Sequence, residues 1–395
     1  MADYSFYLDF FVRDAHIWLQ LEKLRPPKLL APRKRKKRDR HARTRVGFFR
    51  YSYYDIAFKY FVEQVLDADY VALPEPTKLT LEMGTRNSND FVCAPFKHIL
   101  GDFIEALEAG ADVLVQFAGP CRLGYYGELQ ESILRDMGYE FEMLNFATLT
   151  GKPLREYIAA GKKKVNPDLS VPHGMRHMLV VFKMIENLDE AYDYYLANAG
   201  FEVEPGSFDR ALSTYHAAMR AAASDRDITE AHRQGMTSLK ALPIDKPRNP
   251  VRVGIIGEYF TAVDPHSNLG VDRKLIDMGV ELHRLVNMTN RNLRYNEKNL
   301  RAGISDYVSY DMGPTSSINI VAALRYANEG FDGIIHLKSS GCTPEIDCVP
   351  VLQRISRETK VPILFLSYDS QTSDTGLDTR LEAFYDMIAR GKVYR

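Results

Sequence analysis

The chain has 395 residues, of which 45% are hydrophobic and 26% charged, and its formal net charge is −1 at pH 7. This composition is typical of a globular protein, and the length predicts two domains rather than one core. No apolar run approaches the ~18 residues of a membrane span, and the N-terminus lacks the basic-then-apolar order of a secretory signal. We therefore expect a cytoplasmic protein with no membrane partner.

A basic run, RKRKKRDRHARTR at residues 33–45, holds 9 of the 51 Lys and Arg residues, so 42 basic and 51 acidic residues remain elsewhere. Clustered basic side chains can bind nucleic acid phosphates. No RNA-binding motif, zinc-finger spacing or second basic stripe accompanies the run, so we expect no nucleic acid partner. We interpret residues 1–45 as an N-terminal extension with a basic linker. A docking site for an acidic partner is the alternative.

Residues 46–150 alternate short β-rich runs with longer helical runs. The strand patterns are VGFFRYS, DYVAL, DVLVQF and YEFEMLNF, and the helical patterns are IAFKYFVEQVLDA, PFKHILGDFIEALEAG and YGELQESILRDMG. This alternation predicts a first α/β domain built on a parallel sheet.

Residues 151–249 have a different pattern. They contain two long, Ala-rich stretches that are poor in β-branched runs, and we predict a helical insert or bridge. Ser207 is the expected N-cap of the second long stretch. The sequence PIDKPRNP then marks a domain boundary near residues 245–250.

Residues 250–395 start a second α/β series, with strand patterns VRVGIIGEYF, GVELHRLV, DGIIHL and VPILFLSYD. The two series repeat each other locally. Asp112 opens one strand and Cys121 follows nine residues later, whereas Asp332 opens another and Cys342 follows ten residues later. We therefore expect the two cysteines to occupy equivalent places in two similar domains.

Three of the four cysteines fall at predicted helix starts. Cys121 and Cys342 lie in loops that leave the carboxyl end of a strand, where open α/β sheets bind ligands. Cys93 stands two residues before a proline that suits the first turn of a helix. Helix N-termini offer free N–H groups and positive dipole density, which stabilise thiolates and anionic cofactors. We predict a shared metal or iron–sulfur site on these three residues.

Two other interpretations of the cysteines remain open. Buried thiols are commonly small core hydrophobes. Zinc is the rival metal, although structural zinc usually takes four ligands in paired spacings that this chain lacks. Neighbouring glycines, whose backbone N–H groups could approach sulfur, favour the cluster; they are Gly119, Gly124 and Gly341.

Cys348 is a candidate fourth ligand. It stands six residues beyond Cys342, so its Cα lies roughly 9 Å further along the predicted helix. The alternative is a buried helix residue without a metal.

Several polar residues near these loops are secondary candidates. Glu345 could donate a proton, or its charge could simply interact favourably with the helix dipole. Arg122 could stabilise the charge of a cluster or a phosphate, or it could form an ordinary ion pair. Glu258 and the loop at residues 367–376 follow strand ends that face the same crevice. His98, His173 and His336 could be metal ligands, but a histidine with a structural role is commoner, and we expect that role for all three.

Four stretches together resemble one known family. DFVCAPFKHILGDFIEALEAGAD, GPCRLGYYGELQESILRDMGYEFE, HLKSSGCTPEIDCVPVLQRIS and TGLDTRLEAFYDMI are similar to motifs of the 2-hydroxyacyl-CoA dehydratase D-component family. The nearest likeness is to its single-chain members labelled activase-related or CoA-protein-activase proteins. The resemblance covers most of residues 46–146 and 250–390 and excludes the N-terminal 45.

This resemblance implies two flavodoxin-like or Rossmann-like α/β domains with helical additions and a 4Fe-4S cluster in the cleft between them. The family's cluster cysteines correspond to Cys93, Cys121 and Cys342. Characterised dehydratases receive one electron from a separate ATP-hydrolysing iron–sulfur activase and pass it to an acyl-CoA thioester, and the resulting ketyl radical loses a 2-hydroxyl group.

The family pattern implies partners as well. The dehydratases pair two different family subunits, so a second D-component-like subunit or a homodimer is expected. Relatives usually carry a small non-cysteine residue where Cys348 stands. In this chain Cys348 could therefore supply a fourth thiolate, and the cluster would then have no free iron site.

The leading hypothesis is an oxygen-sensitive, lyase-type 4Fe-4S protein acting on an acyl-CoA-type substrate. The alternative is a non-catalytic iron–sulfur electron carrier or assembly partner. A third hypothesis is a zinc-bound structural module.

Overall fold

A computed structural model describes residues 43–117, 121, 126–146, 152–289 and 297–393. The N-terminal extension up to residue 42, with most of the basic run, lies outside the described residues, as do Gly119, Arg122 and Gly124. The fold is α/β and contains two four-stranded sheets in which all neighbouring strands are parallel. The predicted fold class is therefore confirmed.

The first α/β part follows the predicted alternation and starts one residue earlier than expected. Its elements are β1 (Arg45–Phe48), α1 (Asp55–Tyr60), a π-helical turn (Phe61–Val65), β2 (Asp69–Val71), α2 (Lys78–Arg86), α3 (Ala94–Glu108), β3 (Val113–Gln116), α4 (Tyr126–Asp136) and β4 (Glu142–Asn145). The strand order is β2-β1-β3-β4. All four residues of β3 are buried, as expected for a parallel strand covered on both faces.

The middle part is helical, as predicted. It contains α5 (Leu154–Lys164), α6 (Val171–Asn198), a short 3₁₀ turn (Ala199–Phe201), α7 (Ser207–Ala221) and α8 (Asp225–Ala241). The expected N-cap role of Ser207 is wrong, because Gly206 is the N-cap and has a φ of +74°. The Glu202 carboxylate accepts the N–H groups of Gly206 at 2.5 Å and Phe208 at 3.0 Å, so it replaces the serine hydroxyl at this helix start.

The second α/β part has the same strand order as the first. Its elements are β5 (Arg252–Gly257), α9 (Tyr259–Val263), α10 (Val271–Asp277), β6 (Glu281–Arg284), α11 (Glu297–Ile304), α12 (Gly313–Asn328), β7 (Gly333–Ser339), α13 (Thr343–Thr359), β8 (Ile363–Tyr368) and α14 (Asp374–Val393). The order β6-β5-β7-β8 matches β2-β1-β3-β4 element by element. In both sheets the first and third strands in sequence are neighbours, and the chain reverses its direction of winding between them. Ligands of open α/β sheets bind at such switch points.

The local repeat seen in the sequence has a structural basis. The carboxylate of Asp112 accepts the backbone N–H of Arg45 at 3.0 Å, and the carboxylate of Asp332 accepts that of Arg252 at 2.9 Å. Each aspartate therefore joins the start of its sheet's third strand to the start of the first.

The three parts are packed together. One continuous apolar core includes residues of both sheets, such as Val115 and Ile335. Asp189 on α6 is fully buried, and its carboxylate accepts hydrogen bonds from three hydroxyl groups. The Tyr53 hydroxyl lies at 3.1 Å and the Thr289 hydroxyl at 2.5 Å, and the third donor is Tyr54. Because these hydroxyls come from both α/β parts, the helical segment bridges the two sheets. In the described part of the chain, every helix is too short or too polar to cross a membrane.

Candidate metal centre between the two sheets

Cys93 occupies the position that the sequence predicted. It is the N-cap of α3, with an extended backbone at φ −64° and ψ 155°, and Pro95 lies in the first turn of the helix. Its side chain is half-buried. The thiol therefore stands where the first N–H groups of α3 lack helical partners.

Cys342 has the same arrangement in the second sheet. It is the N-cap of α13, with φ −81° and ψ 105°, and Pro344 lies in the first turn. Its backbone N–H donates to the carbonyl of Ser339 at 3.1 Å, which turns the chain sharply at the end of β7. Cys342 is half-buried, and so is Cys121 in the corresponding loop after β3.

The starts of α3 and α13 meet across the two sheets. The backbone N–H of Ala94 donates to the hydroxyl oxygen of Ser339 at 2.8 Å. A Cβ atom placed on Gly341 would lie 3.3 Å from the carbonyl oxygen of Phe91 and 3.7 Å from the Cα atom of Cys93. The loops that carry Cys93 and Cys342 are thus in direct contact, although about 250 residues separate them in sequence.

The pKa values of Cys93 and Cys342 are raised by burial and by the same neighbouring acidic groups. Burial raises the pKa of Cys93 to about 12, and the charges of Glu258 and Cys121 raise it further, while the backbone N–H of Phe96 opposes the rise. Burial also raises the pKa of Cys342 well above its usual range, and Glu258, Glu345 and Cys121 add to that rise. Cys121 thus contributes to the rise in pKa of both other cysteines.

Glu258 lies at the carboxyl end of β5, close to this group. It is the N-cap of α9, where its two carboxylate oxygens accept the N–H groups of Thr261 at 2.6 Å and Phe260 at 2.8 Å. Burial raises its pKa to about 7, partly opposed by those two hydrogen bonds. The charge of Glu258 is among the causes that raise the pKa values of both Cys93 and Cys342.

Cys348 lies in a different environment. It is fully buried on α13, and its thiol donates to the backbone carbonyl of Glu345 at 3.3 Å. The Nε2 atom of His336 lies 3.9 Å and the Oε2 atom of Glu345 3.8 Å from its sulfur. The side chains nearest to the Cys348 thiol are thus those of His336 and Glu345.

Glu345 is equally enclosed. His336 Nε2 lies 2.6 Å from Glu345 Oε2, and the side-chain amide of Asn319 donates to both carboxylate oxygens at 2.8 and 3.0 Å. The amide oxygen of Asn319 also accepts the N–H of Gly257 at 2.8 Å. Through Asn319, the first turn of α13 is joined to the residue that precedes Glu258.

The remaining candidate residues, His98, His173 and the loop at residues 367–376, lie in three different parts of the fold. The His98 ring packs against Phe260 with centroids 5.9 Å apart, and burial lowers its pKa to about 4. His173 lies on α6, and its ring centroid is 4.2 Å from that of His177. The loop at residues 367–376 borders the Cys342 loop, because the N–H of Ser340 donates to the carbonyl of Tyr368 at 2.8 Å.

Two contributors were not predicted from the sequence. Ser339 supplies the hydroxyl that joins the two helix starts, and its place two residues after the predicted strand DGIIHL was the only available signal. Asn319 holds both Glu345 and Gly257, and its position as a polar residue inside the apolar helix SSINIVAALRY could have marked it.

The structure thus defines a two-sheet parallel α/β protein in which the helix starts at Cys93 and Cys342, one from each sheet, are in direct contact. A comparison with known proteins adds no family to this description. No family model matches the chain, and no curated protein matches it.

Proposed function

We propose that Cys93, Cys121 and Cys342 hold a 4Fe-4S cluster and that the protein uses it as the 2-hydroxyacyl-CoA dehydratase D component does. In this proposal an ATP-dependent iron–sulfur activase delivers the electron, and an acyl-CoA-type substrate is dehydrated or reduced. The observation that carries the proposal is the meeting of two cysteine-capped helices, one from each sheet, within reach of a third cysteine.

The donor set fits such a group. Its ligand atoms are soft sulfurs, which favour iron–sulfur clusters and zinc over hard cations. The strongest charges acting on Cys93 and Cys342 are acidic, and burial keeps both thiols protonated at neutral pH. A cationic iron centre would reverse this preference and stabilise the thiolates. When bound, the cluster would supply an electron at low potential.

The surrounding side chains have definable tasks in this proposal. Glu258, with a pKa near 7, can hold or release a proton at its carboxylate close to the cysteines. Aromatic rings from both parts limit the entry of water beside it: Tyr51 stacks on Phe260 with centroids 5.5 Å apart, and the Tyr51 hydroxyl donates to the carbonyl of Tyr259 at 2.6 Å. A water-poor site strengthens electrostatic interactions between its groups.

The test is an anaerobic purification of the full chain followed by iron and sulfide analysis per chain. We expect iron, sulfide and a visible sulfide-to-iron charge-transfer absorption. Single replacement of Cys93, Cys121 or Cys342 by serine should remove the iron, whereas Cys348→Ser should retain it. Zinc bound by three cysteine sulfurs, with no iron, would overturn the proposal.

A second measurement separates the catalytic function from a carrier function. The dithionite-reduced protein is examined by electron paramagnetic resonance with and without an acyl-CoA. A spectrum that changes on adding acyl-CoA supports a catalytic site that binds substrate. A cluster that forms on three cysteines but gives the same spectrum in both samples contradicts the catalytic proposal and favours an electron carrier.

A further inference from the structure

His336, Glu345 and Cys348 form a second cluster of metal-binding side chains, distinct from the three cysteines considered above. Each residue offers one ligand atom, and these atoms all lie within 4.8 Å of one another. All three side chains have 0% exposure. The cluster is held by β7, which carries His336, and by the first turns of α13, which carry the other two.

We propose that these three residues bind a divalent zinc ion, in a site separate from the cysteine group between the two sheets. The imidazole, carboxylate and thiolate ligands are those that zinc takes in proteins. The ion's two positive charges would balance one carboxylate and one thiolate, which leaves a neutral group in a fully buried place. Neutrality matters there because an uncompensated buried charge is costly.

The distances suit three of the four corners of a tetrahedral zinc site. Zinc bonds of about 2.0–2.3 Å at tetrahedral angles place ligand atoms roughly 3.3–3.7 Å apart. The Cys348 sulfur lies 3.8 Å from Glu345 Oε2 and 3.9 Å from His336 Nε2. The remaining pair, His336 Nε2 and Glu345 Oε2, is 2.6 Å apart and must open by about 0.7 Å to admit the ion. That change exchanges one hydrogen bond for two metal bonds.

Neighbouring groups would support the ligands. The Asn319 amide donates to both oxygens of Glu345 and so orients the carboxylate, as outer hydrogen bonds commonly do in metal sites.

Complete burial also predicts when the ion enters. Because all three side chains have no exposed surface, an ion cannot reach them without local opening of the chain. Binding during folding is the consistent route, and zinc would then stabilise the folded chain. The full chain should for this reason be produced in zinc-supplemented medium rather than loaded afterwards.

The experiment measures zinc and iron together in the anaerobically purified full chain. We expect about one zinc per chain in the unaltered protein and also in the triple variant with Cys93→Ser, Cys121→Ser and Cys342→Ser. Cys348→Ser and His336→Gln should each lower zinc by about tenfold or more while leaving iron in place. His216→Gln, which changes a half-buried histidine on α7, is the matched control and should keep both metals.

X-ray absorption at the zinc edge identifies the site even if a variant fails to fold. In the unaltered protein we expect one sulfur at about 2.3 Å together with nitrogen and oxygen neighbours at about 2.0–2.2 Å. Absence of zinc from that protein, its loss in the triple variant, or a shell of three sulfurs would each overturn the second site. The result is separate from the proposed function, because iron depends on the three cysteines and zinc does not.

Discussion

The backbone N–H of Ala94 donates a hydrogen bond to the hydroxyl of Ser339, which is fully buried at the end of β7. This bond satisfies one of the free N–H groups at the start of α3 with a side chain from the other sheet. It therefore fixes the first turn after Cys93 relative to the loop that leads into Cys342.

Replacing Ser339 with alanine should weaken this junction. The variant leaves a buried N–H without its acceptor, so we expect a loss of about 1–3 kcal/mol in the free energy of unfolding. If the cluster is bound as proposed, its iron should also be lost faster in air. Denaturant unfolding and the time course of iron release measure the two effects. Ser340→Ala, at an exposed neighbouring position, is the control, and equal behaviour of the two variants would contradict the assigned role of Ser339.

Glu258→Gln should make the cysteines more reactive in the metal-free chain. The negative charge of Glu258 helps to raise the pKa values of Cys93 and Cys342, so its removal lowers both. Burial is the larger cause, and we therefore expect only about a threefold faster alkylation by iodoacetamide at mildly alkaline pH. Peptide mapping assigns the modified residue. Cys348, which is fully buried, serves as the internal control, and an unchanged rate at the other two thiols would exclude the electrostatic role of Glu258.

Gly257→Ala should be strongly destabilising. Gly257 has a φ of +151°, and an added Cβ would lie 1.9 Å from the carbonyl oxygen of Leu337 in the neighbouring strand. Since neither backbone can move without breaking the sheet, we expect a loss of at least about 2 kcal/mol in the free energy of unfolding. Gly376→Ala on α14 is the matched control. Its Cβ meets nothing within 4 Å, so helix propensity predicts a neutral effect or a gain of up to about 1 kcal/mol.

Acid should destabilise the protein through two half-buried histidines, His98 and His216. Burial lowers the pKa values of His98 and His216 from 6.5 to about 4, and nearby cationic groups add to this effect. At these two sites the unfolded chain therefore binds more protons between these pH values, so the contribution of the two histidines to stability is full above pH 6.5 and is lost as pH falls toward 4. Each histidine contributes a slope of at most about 1.4 kcal/mol per pH unit.

The measurement is the free energy of unfolding at a series of pH values in the unaltered protein and in the double variant His98→Gln, His216→Gln. The double variant should show a flatter dependence in this window. Parallel curves would show that these imidazoles do not carry the effect.

The sequence predicted the sheets well because parallel strands are continuous apolar runs and are separated by helical patterns of ordinary length. DVLVQF contains β3, and DGIIHL contains most of β7. Every residue of these two strands is buried except Lys338 in β7. The helix starts at Cys93 and Cys342 were also predictable, because each is followed by a proline in the first turn.

Helices stabilised by unusual starts were harder to predict. Helix α2 was missed because PTKLTLEMGTR is short and polar, and its start depends on Thr77 and Thr80 bonding each other's backbone. The start of α7 was misassigned because the capping group, Glu202, lies five residues before Ser207 rather than at the N-cap position.

The polar network under the site could not be predicted in full. Glu345 and His336 were both singled out in the sequence, yet their contact depends on Asn319 and on the alignment of α12, α13 and β7. Sequence spacing gives no information on such an alignment, because each partner comes from a different element. For the same reason the sequence left Cys348 between two alternatives, and its distances to His336 and Glu345 could not be predicted.

The contact between Ala94 and Ser339 also has a consequence for biosynthesis. The two residues are separated by 245 positions, so the contact cannot form until most of the chain has left the ribosome. Contacts of such long range form late and slowly. The first sheet must therefore pass through a stage in which the start of α3 has no partner, and any group bound at this junction would be inserted only after translation is nearly complete.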